Sequence, residues 1–144
     1  MKKRIIALGL LWCLSAVMLQ AARVDTVLVR SAAMNKDVKV VYVLPDKAIG
    51  KQACPVVYLL HGYGGNARSW VQLKPELPQM ADEKGIIFVC PDGKNSWYWD
   101  SPENPAYRYE TFVTSELVKY TDGNYATIPD RKARAISGLS MGGH

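Results

Sequence analysis

Short apolar runs, separated by longer amphipathic stretches, dominate the chain after residue 22. Residues 24–31 and 36–44 alternate apolar and polar positions, with a polar turn around Asn35 between them. Alternation with a period of two predicts two strands, and the short turn predicts that they form an antiparallel hairpin. Pro45 ends the second strand, because proline has no amide hydrogen to continue a ladder.

Three later runs are continuously apolar: residues 55–60 (PVVYLL), 86–90 (IIFVC) and, more weakly, 133–137 (ARAIS). Runs of this length and composition are typical of strands that are buried on both faces of a sheet. We therefore predict three buried strands in the later part of the chain.

Two amphipathic stretches lie between these runs. Residues 69–84 have apolar side chains at helical spacing, but Pro75 and Pro78 argue against one straight helix. Residues 108–120 show a cleaner pattern, in which the apolar side chains share one helical face. The order of elements predicts an α/β fold, a mostly parallel sheet with an N-terminal antiparallel hairpin. Such sheets bind ligands at the carboxyl ends of their parallel strands.

The first 22 residues predict an export signal and not a part of the fold. A basic start at residues 2–4 precedes an apolar run over residues 5–19, and the small residues Ala21 and Ala22 follow. This order is typical of a secretory signal peptide, and the run is too short for a comfortable membrane span. We expect cleavage after Ala21 or Ala22, a secreted or periplasmic protein, and no stable membrane span after cleavage. An uncleaved membrane anchor is the alternative.

Removal of the signal changes the charge balance. The formal net charge of the chain is +5, but the part after the signal keeps 15 basic and 13 acidic residues. No long basic stripe is present, so we expect no nucleic-acid partner. Cys54 and Cys90 fall at opposite ends of two predicted neighbouring strands, on the order of 15 Å apart. A disulfide needs Cα atoms within about 7 Å, so we expect two free thiols.

A serine follows the last predicted strand almost directly. Residues 138–142 read GLSMG, the G-x-S-x-G pattern of a nucleophile on a sharp turn between a strand and a helix. Gly138 and Gly142 omit side chains that would collide in such a turn, and Ser140 is the predicted nucleophile. The amide of Met141 would face the reacting carbonyl, where the helix dipole also favours negative charge.

A glycine-rich loop follows an earlier predicted strand. Residues 59–66 read LLHGYGGN, and an oxyanion hole in this kind of fold takes its second backbone N–H from such a loop. Gly62 and Gly64 allow the loop to pass close to a substrate, and Tyr63 carries the candidate amide. A plain glycine turn is the alternative interpretation.

Aromatic side chains crowd residues 93–109. Trp97 and Trp99 are candidates for substrate contact, because exposed aromatic rings stack on sugars and aromatic acyl groups. A hydrophobic core beneath a long loop is the alternative, and we favour it for the group as a whole. Asp100 lies in this loop before the serine, whereas the acid of such a site follows the nucleophile along the chain.

Three segments resemble the esterase D family of α/β-hydrolases: residues 55–70, 90–102 and 133–144. That family includes S-formylglutathione hydrolases, feruloyl and acetyl-xylan esterases, and the antigen 85 acyltransferases. The resemblance implies an α/β-hydrolase fold for residues 23–144, as the N-terminal portion of a single domain truncated after the nucleophile elbow. Further strands follow the elbow in the family, so an exposed apolar strand edge is expected.

The resemblance also implies residue roles. Ser140 is the nucleophile, the amides of Tyr63 and Met141 form the oxyanion hole, and His61 has a structural place. His144 lies four residues after Ser140, on the predicted helix that follows the nucleophile, whereas the base of a triad normally comes from a separate loop. We therefore expect the 144-residue chain to lack a general base, to be inactive by itself and to fold poorly.

These observations predict a secreted serine carboxylic ester hydrolase, similar to acetyl or feruloyl esterases. Its substrate would be a small-molecule or carbohydrate-linked ester, cleaved through a Ser140 acyl-enzyme without a metal or an organic cofactor. An antigen 85-type acyltransferase, a serine peptidase and a non-catalytic truncated remnant are the alternatives. The sequence indicates no oligomeric state.

Overall fold

The computed structural model describes residues 22–144, which are built around a five-stranded mixed sheet. The strands are β1 (Arg23–Ser31), β2 (Lys36–Leu44), β3 (Val56–Leu60), β4 (Ile87–Pro91) and β5 (Arg134–Gly138). Their order in the sheet is β1-β2-β4-β3-β5. β2 is antiparallel to β1 and β4, whereas β3 is parallel to β4 and β5. The α/β class and the edge hairpin are confirmed. The predicted signal covers residues 1–22, of which residues 1–21 lie outside the described residues.

Helices connect the strands on both faces of the sheet. They are α1 (Asp46–Ile49), α2 (Ser69–Leu73), α3 (Leu77–Lys84), α4 (Tyr109–Thr111) and α5 (Leu117–Asn124), with a π-helical turn at Phe112–Glu116 joining the last two. The interruption predicted near Pro75 separates α2 from α3. The helix α1 was not predicted, because four residues are too few to show a helical period.

Two hydrophobic clusters cover the two faces of the sheet. The first joins side chains of all strands except β5 to the buried side of the α4–α5 segment, including Tyr109, Phe112 and Leu117. The second joins β2, β3 and β4 to Leu77 and Ala81 of α3. Because helices pack on both faces, the central strands β3 and β4 are almost completely buried, as their continuous apolar sequences predict.

The strand β5 differs from its prediction as a buried strand. Ala135, Ile136 and Ser137 are exposed, and the side chain of Ile136 retains 59% of its accessible surface. β5 pairs only with β3 and forms an edge of the sheet in the described part of the chain. This is the exposed apolar strand edge that the family resemblance implies.

Both described cysteines are free and buried, as predicted. Cys54 precedes β3 and Cys90 lies near the carboxyl end of β4, so parallel pairing of these strands separates the two thiols. Burial raises the pKa of Cys90 to about 12, which keeps that thiol protonated and unreactive. Over residues 22–144, we find no helix with the length and apolar content needed to cross a membrane.

Candidate active site

Ser140 lies at the point where β5 turns into a short 3₁₀ helix, Ser140–Gly143. Its φ angle is +52°, in the left-handed region that L-residues other than glycine rarely adopt. Such strain is typical of functional turns, and it is the strand–turn–helix geometry that the G-x-S-x-G pattern predicts. The serine is exposed, while the next residue, Met141, is fully buried and anchors the turn in the core.

Gly138 and Gly142 are needed because the turn is too tight for side chains. A Cβ atom at Gly138 would lie 1.9 Å from the carbonyl oxygen of Gly142. A Cβ atom at Gly142 would lie 2.4 Å from the carbonyl oxygen of Leu60, at the end of β3. The first collision is the one that the motif predicts, whereas the second shows that the turn is also pressed against the neighbouring strand.

The glycine-rich loop after β3 passes directly over this turn. A Cβ atom at Gly62 would lie 3.2 Å from the carbonyl oxygen of Leu139 and 3.5 Å from Cβ of Ser140. Gly64 has a φ angle of +78°, and a Cβ atom there would meet no other atom within 4 Å. Glycine is therefore favoured at this position by its backbone conformation and not by a lack of space. The structure therefore brings together the two segments that the sequence analysis singled out.

Two backbone N–H groups at this junction have no acceptor. Those of Tyr63 and Met141 donate to no group among residues 22–144, and the Ser140 hydroxyl likewise has no hydrogen-bond partner there. By contrast, the neighbouring amide of Gly65 donates to the carbonyl of Gly62 at 3.0 Å. A hydroxyl and two backbone N–H groups without acceptors, on two segments that lie against each other, are the components of an acyl-transfer site.

Two side chains from the loop after β4 position the glycine-rich loop. The backbone N–H of Gly64 donates to Oδ1 of Asn95 at 2.8 Å, and that of His61 donates to the hydroxyl of Tyr98 at 3.0 Å. Neither role is predictable from the sequence. A single Asn in a polar loop carries no local signal that it accepts a hydrogen bond from 31 residues away.

His61 is a buried structural residue, as the family resemblance implies. Its Nδ1 lies 2.7 Å from the carbonyl oxygen of Gly62, and its Nε2 accepts a hydrogen bond of 2.9 Å from the amide of Gly93. Donation at Nδ1 and acceptance at Nε2 define a neutral ring with both nitrogens engaged. The Asp92 carboxylate is 3.6 Å from Nε2. Burial favours a higher pKa for Asp92, but hydrogen bonds from the backbone N–H and the ammonium group of Lys94 outweigh burial and hold the pKa well below its usual range.

The aromatic residues of the loop after β4 divide into two groups. Tyr98, Tyr107 and Tyr109 pack on the first core cluster, as the structural interpretation predicts. Trp97 instead lies beside the candidate site, with its ring centroid 6.4 Å from Tyr63 and 5.6 Å from His144. The side chain of Trp99 is about half exposed and makes no ring contact with another aromatic residue in the described part of the chain. Of the two candidate tryptophans, Trp97 is the one with ring contacts to Tyr63 and His144 among residues 22–144.

Asp100 has a helix-capping role. Its carboxylate accepts hydrogen bonds from the backbone N–H of Thr111 at 3.0 Å and from the hydroxyl of Thr111 at 2.5 Å. His144 has its ring against Trp97. Between residues 22 and 144, no histidine or carboxylate is hydrogen bonded to Ser140. Over the same residues, no group of three or more potential metal ligands is present.

A shallow groove of about 430 Å³ runs along the outer side of the glycine-rich loop. It is bounded by Gly62 and Tyr63, by Leu73 of α2 and by Leu139 of the elbow. Leu73 and Leu139 are both largely exposed, at 63% and 49%. An exposed apolar groove next to Ser140 suits the hydrocarbon part of an acyl or alcohol group.

Comparison with known proteins places this geometry in a family. Residues 31–144 match the family described as putative esterase. The chain belongs to this esterase family. The match includes the glycine-rich loop, the loop after β4 and the elbow, so all three segments of the candidate site lie within the family's shared sequence.

Individual relatives agree with the family match. The acetyl esterase of Caldicellulosiruptor saccharolyticus is 28% identical over 122 residues, covering 79% of this chain and 45% of the relative. The diacylglycerol acyltransferase/mycolyltransferase Ag85A of Mycobacterium gordonae is 32% identical over 130 residues, covering 83% and 36%. The structure of an S-formylglutathione hydrolase from Agrobacterium tumefaciens superposes with a TM-score of 0.75 at 28% identity, covering 86% and 51%. The chain therefore spans about half the length of these proteins or less.

Replacing Asn95 by alanine in the full-length protein is expected to lower kcat about tenfold with little change in KM. The substitution frees the Gly64 amide and lets the adjacent Tyr63 N–H move, and loss of one oxyanion donor costs about 10² to 10³ in kcat. Steady-state kinetics with p-nitrophenyl acetate measure the effect. Asn104→Ala is the matched control, since Asn104 also accepts a backbone hydrogen bond, from Ala106 at 3.0 Å. An equal loss in both variants would show that Asn95 does not position the loop.

Proposed function

We propose that the full-length protein is a serine carboxylic ester hydrolase that acts through an acyl-enzyme on Ser140. The observation that carries the proposal is the strained, exposed Ser140 beneath the Gly62 loop, with the unpaired amides of Tyr63 and Met141 at the same junction. Family membership supports the same class of reaction. No part of this arrangement calls for a metal or an organic cofactor.

The reaction follows from these positions. The Ser140 hydroxyl oxygen attacks the ester carbonyl carbon, and the carbonyl oxygen becomes an oxyanion that accepts hydrogen bonds from the amides of Tyr63 and Met141. Collapse expels the alcohol and leaves an ester on Ser140, which water then hydrolyses to the free acid. A general base must take the serine proton. In α/β-hydrolases the acid and the histidine follow the serine along the chain, so we assign them to the part of the full-length protein after residue 144.

Trapping of the acyl-enzyme tests this proposal. Mixing the full-length protein with p-nitrophenyl acetate is expected to give a burst of nitrophenol equal to the enzyme concentration whenever deacylation is slower than acylation. Mass spectrometry of the quenched reaction should then find one acetyl group on the peptide that contains Ser140. An acetyl group on any other residue, with turnover intact, would contradict the assignment of Ser140.

The 144-residue chain by itself is expected to show no esterase turnover above the uncatalysed rate. His61 is buried with both ring nitrogens engaged, and His144 packs on Trp97, so neither is placed to activate Ser140. The measurement is p-nitrophenyl acetate hydrolysis by the purified chain, with circular dichroism to report whether it folds. Turnover that disappears in Ser140→Ala would show that a base within the 144 residues serves the site.

For the substrate, we propose an acetyl ester or a larger aromatic acyl ester, on a small molecule or a carbohydrate. The acetyl esterase relative supports the first, and the exposed ring of Trp97 beside Tyr63 gives a surface on which a sugar or an aromatic acid can stack. Comparison of kcat/KM for ethyl acetate, acetylated xylan and methyl ferulate separates the candidates. A preference for an ester without a ring in either part would contradict stacking on Trp97.

A second candidate is acyl transfer to an alcohol other than water, which the acyltransferase relative favours. The same acyl-enzyme would form, and the acceptor would decide the product. Product analysis in the presence of a sugar alcohol acceptor distinguishes the two, since a transferase accumulates the new ester while a hydrolase releases the acid.

We also propose that the protein is secreted or periplasmic. The basic start, the apolar run over residues 5–19 and the small residues that follow support export. Fractionation of cells that express the full-length gene tests this localisation.

A further inference from the structure

Asp82, on α3, binds the backbone at the start of the described chain. Its Oδ2 accepts a hydrogen bond of 2.8 Å from the backbone nitrogen of Ala22, and its Oδ1 accepts one of 2.9 Å from the backbone nitrogen of Asp46. Ala22 is also partly buried against the second core cluster. One carboxylate therefore holds both the residue before β1 and the first turn of α1.

The surroundings of this carboxylate are acidic. Among residues 22–144, no lysine or arginine nitrogen lies within 4.0 Å of the carboxylates of Asp82 or Asp46. Oδ1 of Asp46 is a buried acceptor with no hydrogen-bond partner there. Loss of hydration and the charge of Asp82 raise the pKa of Asp46. A positive charge at the nitrogen of Ala22 would stabilise both carboxylates.

We propose that a signal peptidase hydrolyses the Ala21–Ala22 peptide bond and that the new α-ammonium group of Ala22 forms an ion pair with Asp82. One water molecule is consumed, the carbonyl group of Ala21 becomes a carboxylate, and the nitrogen of Ala22 becomes the protonated amine. That nitrogen already lies 2.8 Å from Oδ2 of Asp82. The inference rests on the proposed export and adds the scissile bond and the partner of the new chain end.

The contact distinguishes two bonds that the sequence leaves equivalent. Cleavage after Ala22 would remove the residue that Asp82 binds and would move the ammonium group to Arg23, about 3.8 Å further along the chain. The side chain of Arg23 is directed to Asp25, with Nε 2.7 Å from its carboxylate. Only cleavage after Ala21 places a positive charge between Asp82 and the start of β1.

The first test is the N-terminus of the exported full-length protein, read by intact mass and by sequencing of the terminal peptide. We expect the chain to begin at Ala22. A chain that begins at Arg23 would overturn this inference and leave export intact. A chain retained in the cell with residues 1–21 still attached would overturn the cleavage and the export proposal together. An exported chain that keeps residues 1–21 would overturn the cleavage alone.

The second test measures the ion pair without relying on export. Two full-length chains are prepared, one that begins at Ala22 and one that carries an extra glycine before Ala22. The extra glycine moves the ammonium group one residue away from Asp82 but keeps the backbone N–H of Ala22. The glycine is expected to raise the unfolding equilibrium constant about threefold, in the range measured for partly exposed ion pairs. Asp82→Asn should abolish the difference, whereas the control Glu83→Gln, which removes a charge on the same helix, should preserve it. Equal stability of the two chains, or a difference that persists in Asp82→Asn, would overturn the pairing.

Discussion

Replacing Ser140 by alanine in the full-length protein is expected to lower kcat/KM for p-nitrophenyl acetate by about 10⁴-fold to 10⁶-fold, the range found when the nucleophile of a serine hydrolase is removed. The size of the effect follows from the geometry. Ser140 occupies a strained turn with φ of +52°, and the glycine-rich loop that contains Tyr63 lies against this turn. The amides of Tyr63 and Met141 have no acceptor among residues 22–144. Without the hydroxyl, those amides can still polarise an ester, but no acyl-enzyme forms, so only a small residual rate remains.

Ser137→Ala is the matched control for this prediction. Ser137 is an exposed serine of β5, three residues before Ser140, and it lies on a regular strand and not on the elbow. Its removal should leave kcat/KM within about twofold, since an exposed substitution of this kind changes little in stability. Both proteins should unfold at the same urea concentration. A Ser140→Ala variant that keeps more than about a tenth of the activity would exclude Ser140 as the nucleophile, given the costs known for such residues.

The parts of this molecule that sequence predicts are those with a local physical signal. The hairpin follows from alternation along β1 and β2, and the break between α2 and α3 follows from proline. The elbow was predictable for the same reason, because the steric needs of a tight turn are met by residues within two positions of Ser140. Gly138 meets Gly142 in the structure as the pattern requires.

The parts that sequence did not predict depend on contacts between distant residues. The bond from Gly64 to Asn95 spans 31 residues, and the bond from Ala22 to Asp82 spans 60. Neither has a periodicity or a spacing that marks it. The exposure of Ile136 was mispredicted for a related reason: the strand's own composition is apolar, but its burial depends on how many neighbours β5 has.

Replacing Gly138 by alanine is expected to destabilise the full-length protein by about 3 kcal/mol, at the upper end of the usual cost of overpacking. The new Cβ would lie 1.9 Å from the carbonyl oxygen of Gly142 and 2.2 Å from its carbonyl carbon. These are backbone atoms, so no side-chain rotation relieves the overlap. Gly142 cannot move away from the new Cβ either, because the space between its Cα and the carbonyl oxygen of Leu60 holds only a hydrogen atom. Urea unfolding followed by circular dichroism measures the loss.

The control Gly143→Ala tests whether the cost comes from this one contact. A Cβ at Gly143 would lie 3.4 Å from the carbonyl oxygen of Gly138, an ordinary contact, and we expect a change below about 1 kcal/mol. Activity should follow the same order, because Gly138→Ala can fold only by opening the turn, and an opened turn moves the Ser140 hydroxyl away from the amides of Tyr63 and Met141. A Gly138→Ala protein with unchanged stability and activity would show that the turn in solution is wider than a distance of 1.9 Å between this Cβ and the carbonyl oxygen implies. A stable but inactive Gly138→Ala protein would instead separate the role of this glycine in stability from its role in activity. The turn could then relax without unfolding, and its tightness would serve to position Ser140.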